Sequence, residues 1–316
     1  MKKVSPKIVT KSYNSFNVHN IADNYSFFHI DITDDKKFLE GLCDFLLSED
    51  NLIRYATNKS AVNFEPTLRN FITLYRELNN FIDEENMDSF EFDEEIEAVV
   101  SEEFDEIGEE NGKRVIRTSK IGRIGEYIFH IFLSDYFDFN CIIPKVKLTT
   151  DKNMSIHGID VLFLNKKEET ILFGESKVTN KIANGIAMVN KSLLNYEKEI
   201  REEYMLVLTN NHLKLNGLED VFPGQTEVCL TFDDFINSTK IKNIGVPIFI
   251  AHGTELNHEE ILDSLERKIK RKKYFNLDTK YYVISLPMIN KKVFMNYITS
   301  VIRKKMEVYN ASVNKR

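Results

Sequence analysis

Gly158-Ile-Asp-Val-Leu-Phe-Leu164 and Ile171-Leu-Phe-Gly-Glu-Ser-Lys-Val178, joined by the polar segment Asn165 to Glu169, are the stretch whose reading decides the fold. Each is an apolar run of strand length, and turn-forming residues separate them, so together they read as a β-hairpin. With the turn centred between Lys167 and Glu168, Asp160 falls opposite Glu175. Alternation along the second strand puts Glu175 and Lys177 on the face of Ile171 and Phe173, while Ser176 points the other way. Directly opposed side chains have Cβ atoms about 5 Å apart, and like charges in that position destabilise a sheet. A charge in an apolar strand is costly unless it is paired or binds metal. Lys177 supplies part of the compensation. A divalent cation held by Asp160, Glu175 and the backbone carbonyl of Ser176 would supply the rest, and an all-oxygen donor set selects Mg2+ or Mn2+ over zinc. Such an ion activates water and offsets charge on a phosphate, with Lys177 orienting the water or stabilising the transition state. The competing reading is a buried acid–lysine pair with no catalytic task.

Working outward, Gly122-Arg-Ile-Gly-Glu126-Tyr-Ile-Phe-His130 has helical periodicity. Ile121, Ile124, Ile128 and Ile131 form one apolar stripe, and Glu126 lies on another with Phe129 and Leu133. Glu126 thus belongs to a helix buried on two sides, and the metal site is a candidate partner for it. This helix, capped by Ser119, should run to about Tyr136. Strands follow at Cys141 to Leu148, Ile159 to Leu164 and Ile171 to Val178, then a helix from Lys181 to Glu203 and a strand at Met205 to Leu208. Further strands are expected at Val246 to Ala251 and Tyr281 to Leu286, with helices at His258 to Lys272 and Lys291 to Tyr309. Nearer the amino end, Tyr25 to Ile32 reads as a strand, with helices at Lys37 to Leu47 and Pro66 to Ile82. The class is α/β (α+β): a mixed sheet flanked by helices, with an N-terminal α/β extension.

The 316 residues carry a formal charge of −7, which by itself argues against a nucleic-acid partner. That average conceals a segregation. Asp83 to Glu110 holds fifteen acidic residues and no Lys or Arg, which leaves 42 basic against 34 acidic residues elsewhere. The chain therefore divides into an N-terminal α/β region (1–82), an acidic linker or insertion (83–112) and a larger domain (113–316). The acidic stretch reads as a solvated linker or as a phosphate mimic over a basic groove. Three cysteines, Cys43, Cys141 and Cys229, lie far apart and suggest neither a disulfide framework nor a cysteine zinc site. No apolar leader or membrane-spanning run is apparent, so a cytoplasmic protein is expected.

The ordered set Glu126, Asp160, Glu175 and Lys177, on helix, strand and strand, resembles the PD-(D/E)XK nuclease superfamily, although Ile159 stands where the name has proline. Gly125-Glu-Tyr-Ile-Phe-His, Ile143-Pro-Lys-Val-Lys, His157-Gly-Ile-Asp-Val-Leu-Phe and Leu172-Phe-Gly-Glu-Ser-Lys-Val together resemble the HamA effectors of the Hachiman anti-phage system and their abortive-infection relative AbpA. The likeness covers mainly residues 115 to 210. It implies a DNA-cleaving effector nuclease restrained by a helicase subunit, HamB. Asp160 and Glu175 would be its metal ligands, Lys177 its catalytic lysine and Glu126 a supporting acid. A restriction or repair endonuclease of the same superfamily, or a nucleic-acid-binding module, are the alternatives.

Weaker signals remain. Lys145, Lys147 and Lys181 are candidate phosphate contacts, Asn190 and Lys191 candidate groove residues, and His157, beside Gly158, reads as a general base or, as lone histidines more often are, a structural residue. Lys268 to Lys273 is the densest basic run, suited to a helix C-terminus or to an acidic partner.

Overall fold

The hairpin forms in the register expected. β5 (Val161–Asn165) and β6 (Thr170–Thr179) pair antiparallel, with Val161 opposite Gly174 and Asn165 opposite Thr170. Asp160 donates its backbone N–H to the Gly174 carbonyl at 2.9 Å, extending the ladder one step beyond the strand. The computed structural model describes residues 8–21, 24–51, 121–143, 159–204, 231–239, 241–253 and 256–288, with a few positions between 297 and 311. The acidic stretch, the helix expected at Pro66 to Ile82, the strand at Met205 to Leu208, and Lys145, Lys147 and His157 lie outside the described residues.

Around the hairpin an eight-stranded mixed sheet is built in the order β1-β2-β3-β8-β7-β6-β5-β4. The remaining strands are β1 (Ile8–Ser12), β2 (Phe16–Ile21), β3 (Asn24–Ile32), β4 (Asn140–Ile143), β7 (Asn243–His252) and β8 (Asp278–Pro287). The centre, β3-β8-β7-β6, is parallel, and both flanks are antiparallel. Parallel strands are buried on both faces, and β7, Asn-Ile-Gly-Val-Pro-Ile-Phe-Ile-Ala-His, is buried at nine of its ten positions.

Helices cover both faces. One face packs α1 (Asp35–Leu46) and α2 (Ile121–Ile131), with Phe38, Leu42 and Leu46 joining Tyr127, Phe129 and Ile131 over Leu172 and Phe249. The Tyr127 hydroxyl donates to the Leu46 carbonyl and ties these two helices together. The opposite face packs α3 (Ile182–Ser192), α4 (Tyr196–Glu203), α5 (Phe232–Ser238) and α6 (His258–Lys268) over Ile171, Phe173, Ile248 and Ile250. Consecutive residues of β6 alternate between the two cores, as a period of two requires.

Three local outcomes differ from expectation. The helix expected from Lys181 to Glu203 is two helices, broken at Leu193 to Asn195. The apolar spacing of Ile182, Ile186, Val189, Leu193, Tyr196 and Ile200 continues across the break, so periodicity had no means of marking it. The helix expected to reach Lys272 ends at Lys268, because the Asn190 side chain donates to the Lys268 carbonyl and accepts from the Lys270 N–H, each at 2.8 Å. Asn190 is therefore a tertiary cap rather than a groove residue. β1, β2 and α5 gave no sequence signal strong enough to be named. The helix at Ile121 continues to Tyr136 as expected, its last turn π-helical over Phe132–Tyr136. No helix among the described residues is long and apolar enough to cross a membrane.

Close approach of α2 to the hairpin depends on two glycines. A Cβ on Gly174 would lie 2.4 Å from Val161 Cγ2 and 2.9 Å from Phe129 Cε1; one on Gly125 would lie 2.5 Å from Val178 Cγ2. Gly174→Ala should therefore destabilise the protein by roughly 1–3 kcal/mol despite its gain in strand propensity. Urea denaturation of the variant, read as a lower midpoint at unchanged slope, checks this.

Candidate active site

Three side chains singled out in the sequence converge at the carboxyl end of the hairpin. Lys177 Nζ lies 2.6 Å from Glu175 Oε2 and 3.9 Å from Asp160 Oδ2. Asp160 turns its Oδ2 onto the backbone N–H of Ser176, which donates at 2.7 Å. The hairpin register dictates this grouping: Asp160, Leu162 and Leu164 share a face with Ile171, Phe173 and Glu175, because opposed residues point the same way. The Ser176 amide is available to a side chain because Asp160 lies at the bend where the ladder with β5 ends.

Electrostatically the cluster is incompletely satisfied. Glu175 is only 2% exposed, and burial, reinforced by the neighbouring Asp160 charge, pushes its carboxyl up to about 7 in spite of Lys177. Its Oε2 sits at contact distance from the ammonium but off the hydrogen-bonding direction, so it is a buried oxygen with no hydrogen bond. Burial also works to lower the Lys177 pKa, yet the carboxylates of Asp160 and Glu175 outweigh it and hold the ammonium above its ordinary range. Glu126, half-buried on α2, adds to that effect. It therefore stands within electrostatic reach of Lys177, although its helix packs on the opposite face of the sheet.

Two residues not picked out in the sequence border the cluster. Tyr196, fully buried at the start of α4, donates its hydroxyl to the Phe173 carbonyl, and burial and the nearby Glu175 charge push its pKa well above the usual phenol value. Glu199, one turn further along α4, is raised by burial, and Lys177 pulls it back down. The sequence held a trace of this: Tyr196 and Ile200 continue the apolar stripe of α3, which turns Glu199 toward the sheet.

Two of the other candidate contacts lie on α3, the helix that follows β6. Lys181 is exposed at the N-cap of α3, and Lys191 is exposed in its last turn. Of the basic run, Lys268 ends α6, and Lys270, Arg271, Lys272 and Lys273 lie beyond the helix. With Lys280, the last three line a cavity of about 460 Å³ beside Ser26 and Phe27. That cavity borders Thr279 to Tyr281 at the amino end of β8, whereas Lys177 lies toward the carboxyl end of the parallel strands.

The donor set suits a hard divalent cation. Two converging carboxylates, one with a buried oxygen lacking a hydrogen bond, hold more negative charge than one ammonium meets.

A mixed sheet covered by helices on both faces, with two acids and a lysine gathered on its β5–β6 hairpin, has the layout of an α+β nuclease-like fold. Among known families, the HamA family model matches residues 7–302, and the chain belongs to the HamA family. Membership gives it a coarse functional assignment as an antiviral defence effector. No curated protein matches the chain significantly.

The raised Glu175 pKa has a consequence for stability. A carboxyl whose folded pKa lies above its unfolded value favours the fold when protonated and opposes it once ionised, so stability falls as pH rises from about 4.5 to about 7. Glu175→Gln should therefore be more stable than the parent by about 1–3 kcal/mol at pH 8 in the presence of chelator, and nearly equal to it at pH 4. Urea melts at the two pH values measure the difference.

Proposed function

We propose that this chain is a metal-dependent deoxyribonuclease, the effector of a Hachiman-type anti-phage system that a helicase subunit, HamB, holds in check. The observation that carries the reading is the convergence of Asp160, Glu175 and Lys177, two carboxylates sharing one ammonium with Glu175 almost fully buried. An idle ion pair would be expected to satisfy its own carboxylates, since unmet buried charge is strongly destabilising. Family membership supports the defence setting.

In this reading Asp160, Glu175 and the Ser176 carbonyl hold Mg2+ or Mn2+. The ion, when bound, lowers the pKa of a water and offsets charge developing on the scissile phosphate. Lys177 stays protonated, because the two carboxylates keep its pKa above the ordinary lysine value. It is therefore a poor general base and a good donor: its ammonium positions the phosphate and stabilises the negative charge of the transition state. The Ser176 N–H fixes one oxygen of Asp160, so that carboxylate is oriented before a ligand arrives. Glu126 and Glu199 border the cluster and set the field at Lys177 without being needed as ligands.

Purified protein should cleave plasmid DNA with Mg2+ or Mn2+ and lose that activity with excess chelator. Glu175→Ala and Lys177→Ala should each lower the rate by about a hundredfold or more while leaving the melting profile cooperative. Unchanged cleavage by Glu175→Ala would end the catalytic claim. Mg2+ should raise the melting temperature of the parent and leave that of Glu175→Ala unmoved. Co-purification with the helicase subunit should reduce cleavage below that of the free chain, and equal activity in the two preparations would remove the restraint from the proposal.

A further inference from the structure

A polar row crosses the sheet on the face of Lys177. Cα register aligns Thr10 with His19, His19 with His29, His29 with Ser285, Ser285 with Ile250, and Ile250 with Lys177. At a spacing of about 4.8 Å per strand, His19 on β2 lies on the order of 20 Å from Lys177 on β6. In the middle of the row His29 Nδ1 bonds the Ser285 hydroxyl at 3.1 Å, and Nε2 of His252, two residues along β7 from Ile250, bonds the same hydroxyl at 2.8 Å.

His19 is different. It is 4% exposed, and its Nδ1 pairs with Thr10 Oγ1 at 2.8 Å. Its other nitrogen, Nε2, is buried without a hydrogen bond and lies 3.5 Å from Asp31 Oδ2. When Nδ1–H donates to Thr10, the Nε2 lone pair and a carboxylate oxygen confront each other, two acceptors with nothing between them to share. The ring of His258 stacks on that of His19, with centroids 3.8 Å apart and planes within 5°. The ligand atoms of His19, Asp31 and His258 all lie within 4.8 Å of one another.

We propose that His19, Asp31 and His258 form a second metal site, for a zinc-class transition ion, separate from the Asp160–Glu175–Lys177 cluster. Two ligands bound to tetrahedral zinc at about 2.1 Å stand about 3.4 Å apart, close to the Nε2–Oδ2 separation found here. Two imidazoles and one carboxylate favour zinc-like ions over magnesium, whereas the all-oxygen cluster favours the reverse, so the two sites sort metals by ligand chemistry. The Thr10 contact is the kind of outer hydrogen bond that fixes the tautomer and ring orientation of a metal-bound histidine. His258 is half-exposed on the first turn of α6, and to bind the ion its ring would turn out of the stack and aim a lone pair at the shared point. Asp31 has a side chain 45% exposed, so an ion has a path in. Bound there, the ion would cross-link β2 and β3 to the start of α6, which already packs against both strands.

The test uses the full chain, stripped with chelator and titrated with Zn2+ against a chromophoric competitor, and with Co2+ for its visible absorption. The parent should bind one Zn2+ that Mg2+ does not displace and show the intense bands of a tetrahedral cobalt site. His258→Ala and Asp31→Asn, both at half-exposed positions and so compatible with folding, should bind at least about a hundredfold more weakly, and Thr10→Val about tenfold more weakly. Glu175→Ala should retain the zinc, which separates this site from the proposed nuclease cluster: loss of cleavage without loss of zinc is the expected pattern. Absence of zinc binding by the parent, equal binding by His258→Ala, or loss of zinc only in Glu175→Ala would each overturn the proposal.

Discussion

Two carboxylates face each other across hydrogen-bonded strands in the interior of the sheet, and most of what surrounds the candidate site follows from the need to accommodate them. Asp160 takes the Ser176 N–H, which the end of the β5 ladder leaves available. Glu175 takes Lys177, two residues along the same strand and hence on the same face. That arrangement leaves a buried Glu175 oxygen without a hydrogen bond and a carboxyl pushed up to about 7. Glu199, from the helix layer, and Glu126, from across the sheet, add further negative charge nearby, so the environment as a whole favours cations.

Such a cluster persists only because the frame around it is strongly apolar. β7 is buried along nearly its whole length, and both faces of the parallel centre are covered, with Phe249 and Leu172 on one side and Ile248 and Phe173 on the other. Polar groups are then tolerated where a strand end meets a turn, or where they satisfy each other, as His29 and His252 do through Ser285. Both are held neutral, burial lowering His29 to about 3 and His252 to about 4. The candidate site and the histidine row thus share one solution: polar side chains aligned in register across a sheet whose other positions are apolar.

How far the sequence reaches can be judged residue by residue. The hairpin register was legible because its turn is short and polar and its arms are equal; antiparallel pairing around a tight turn is a local matter, and Asp160 opposite Glu175 follows by counting. β3, α1 and the first turns of α3 were legible from periodicity for the same reason. β1 was not, because Ile8–Ser12 is a mostly exposed edge strand with one apolar pair and no alternation worth reading. The break between α3 and α4 was hidden by an apolar stripe that continues through it, and that stripe left only a trace of Glu199, on the side turned toward the sheet.

By itself, the sequence determined the chemistry of the hairpin: which residues share a face, which acids oppose each other, and which lysine lies beside them. These depend on separations of a few residues, where the backbone's period of two leaves little choice. Tertiary structure alone decided the rest. β3 pairs parallel with β8, joining His29 to Ser285 across 256 positions of chain, and Asn190 reaches over to end α6. Pairings between distant segments carry no local periodic signature. They are selected by which apolar faces bury each other best, a sum over the whole core that no single stretch of chain encodes.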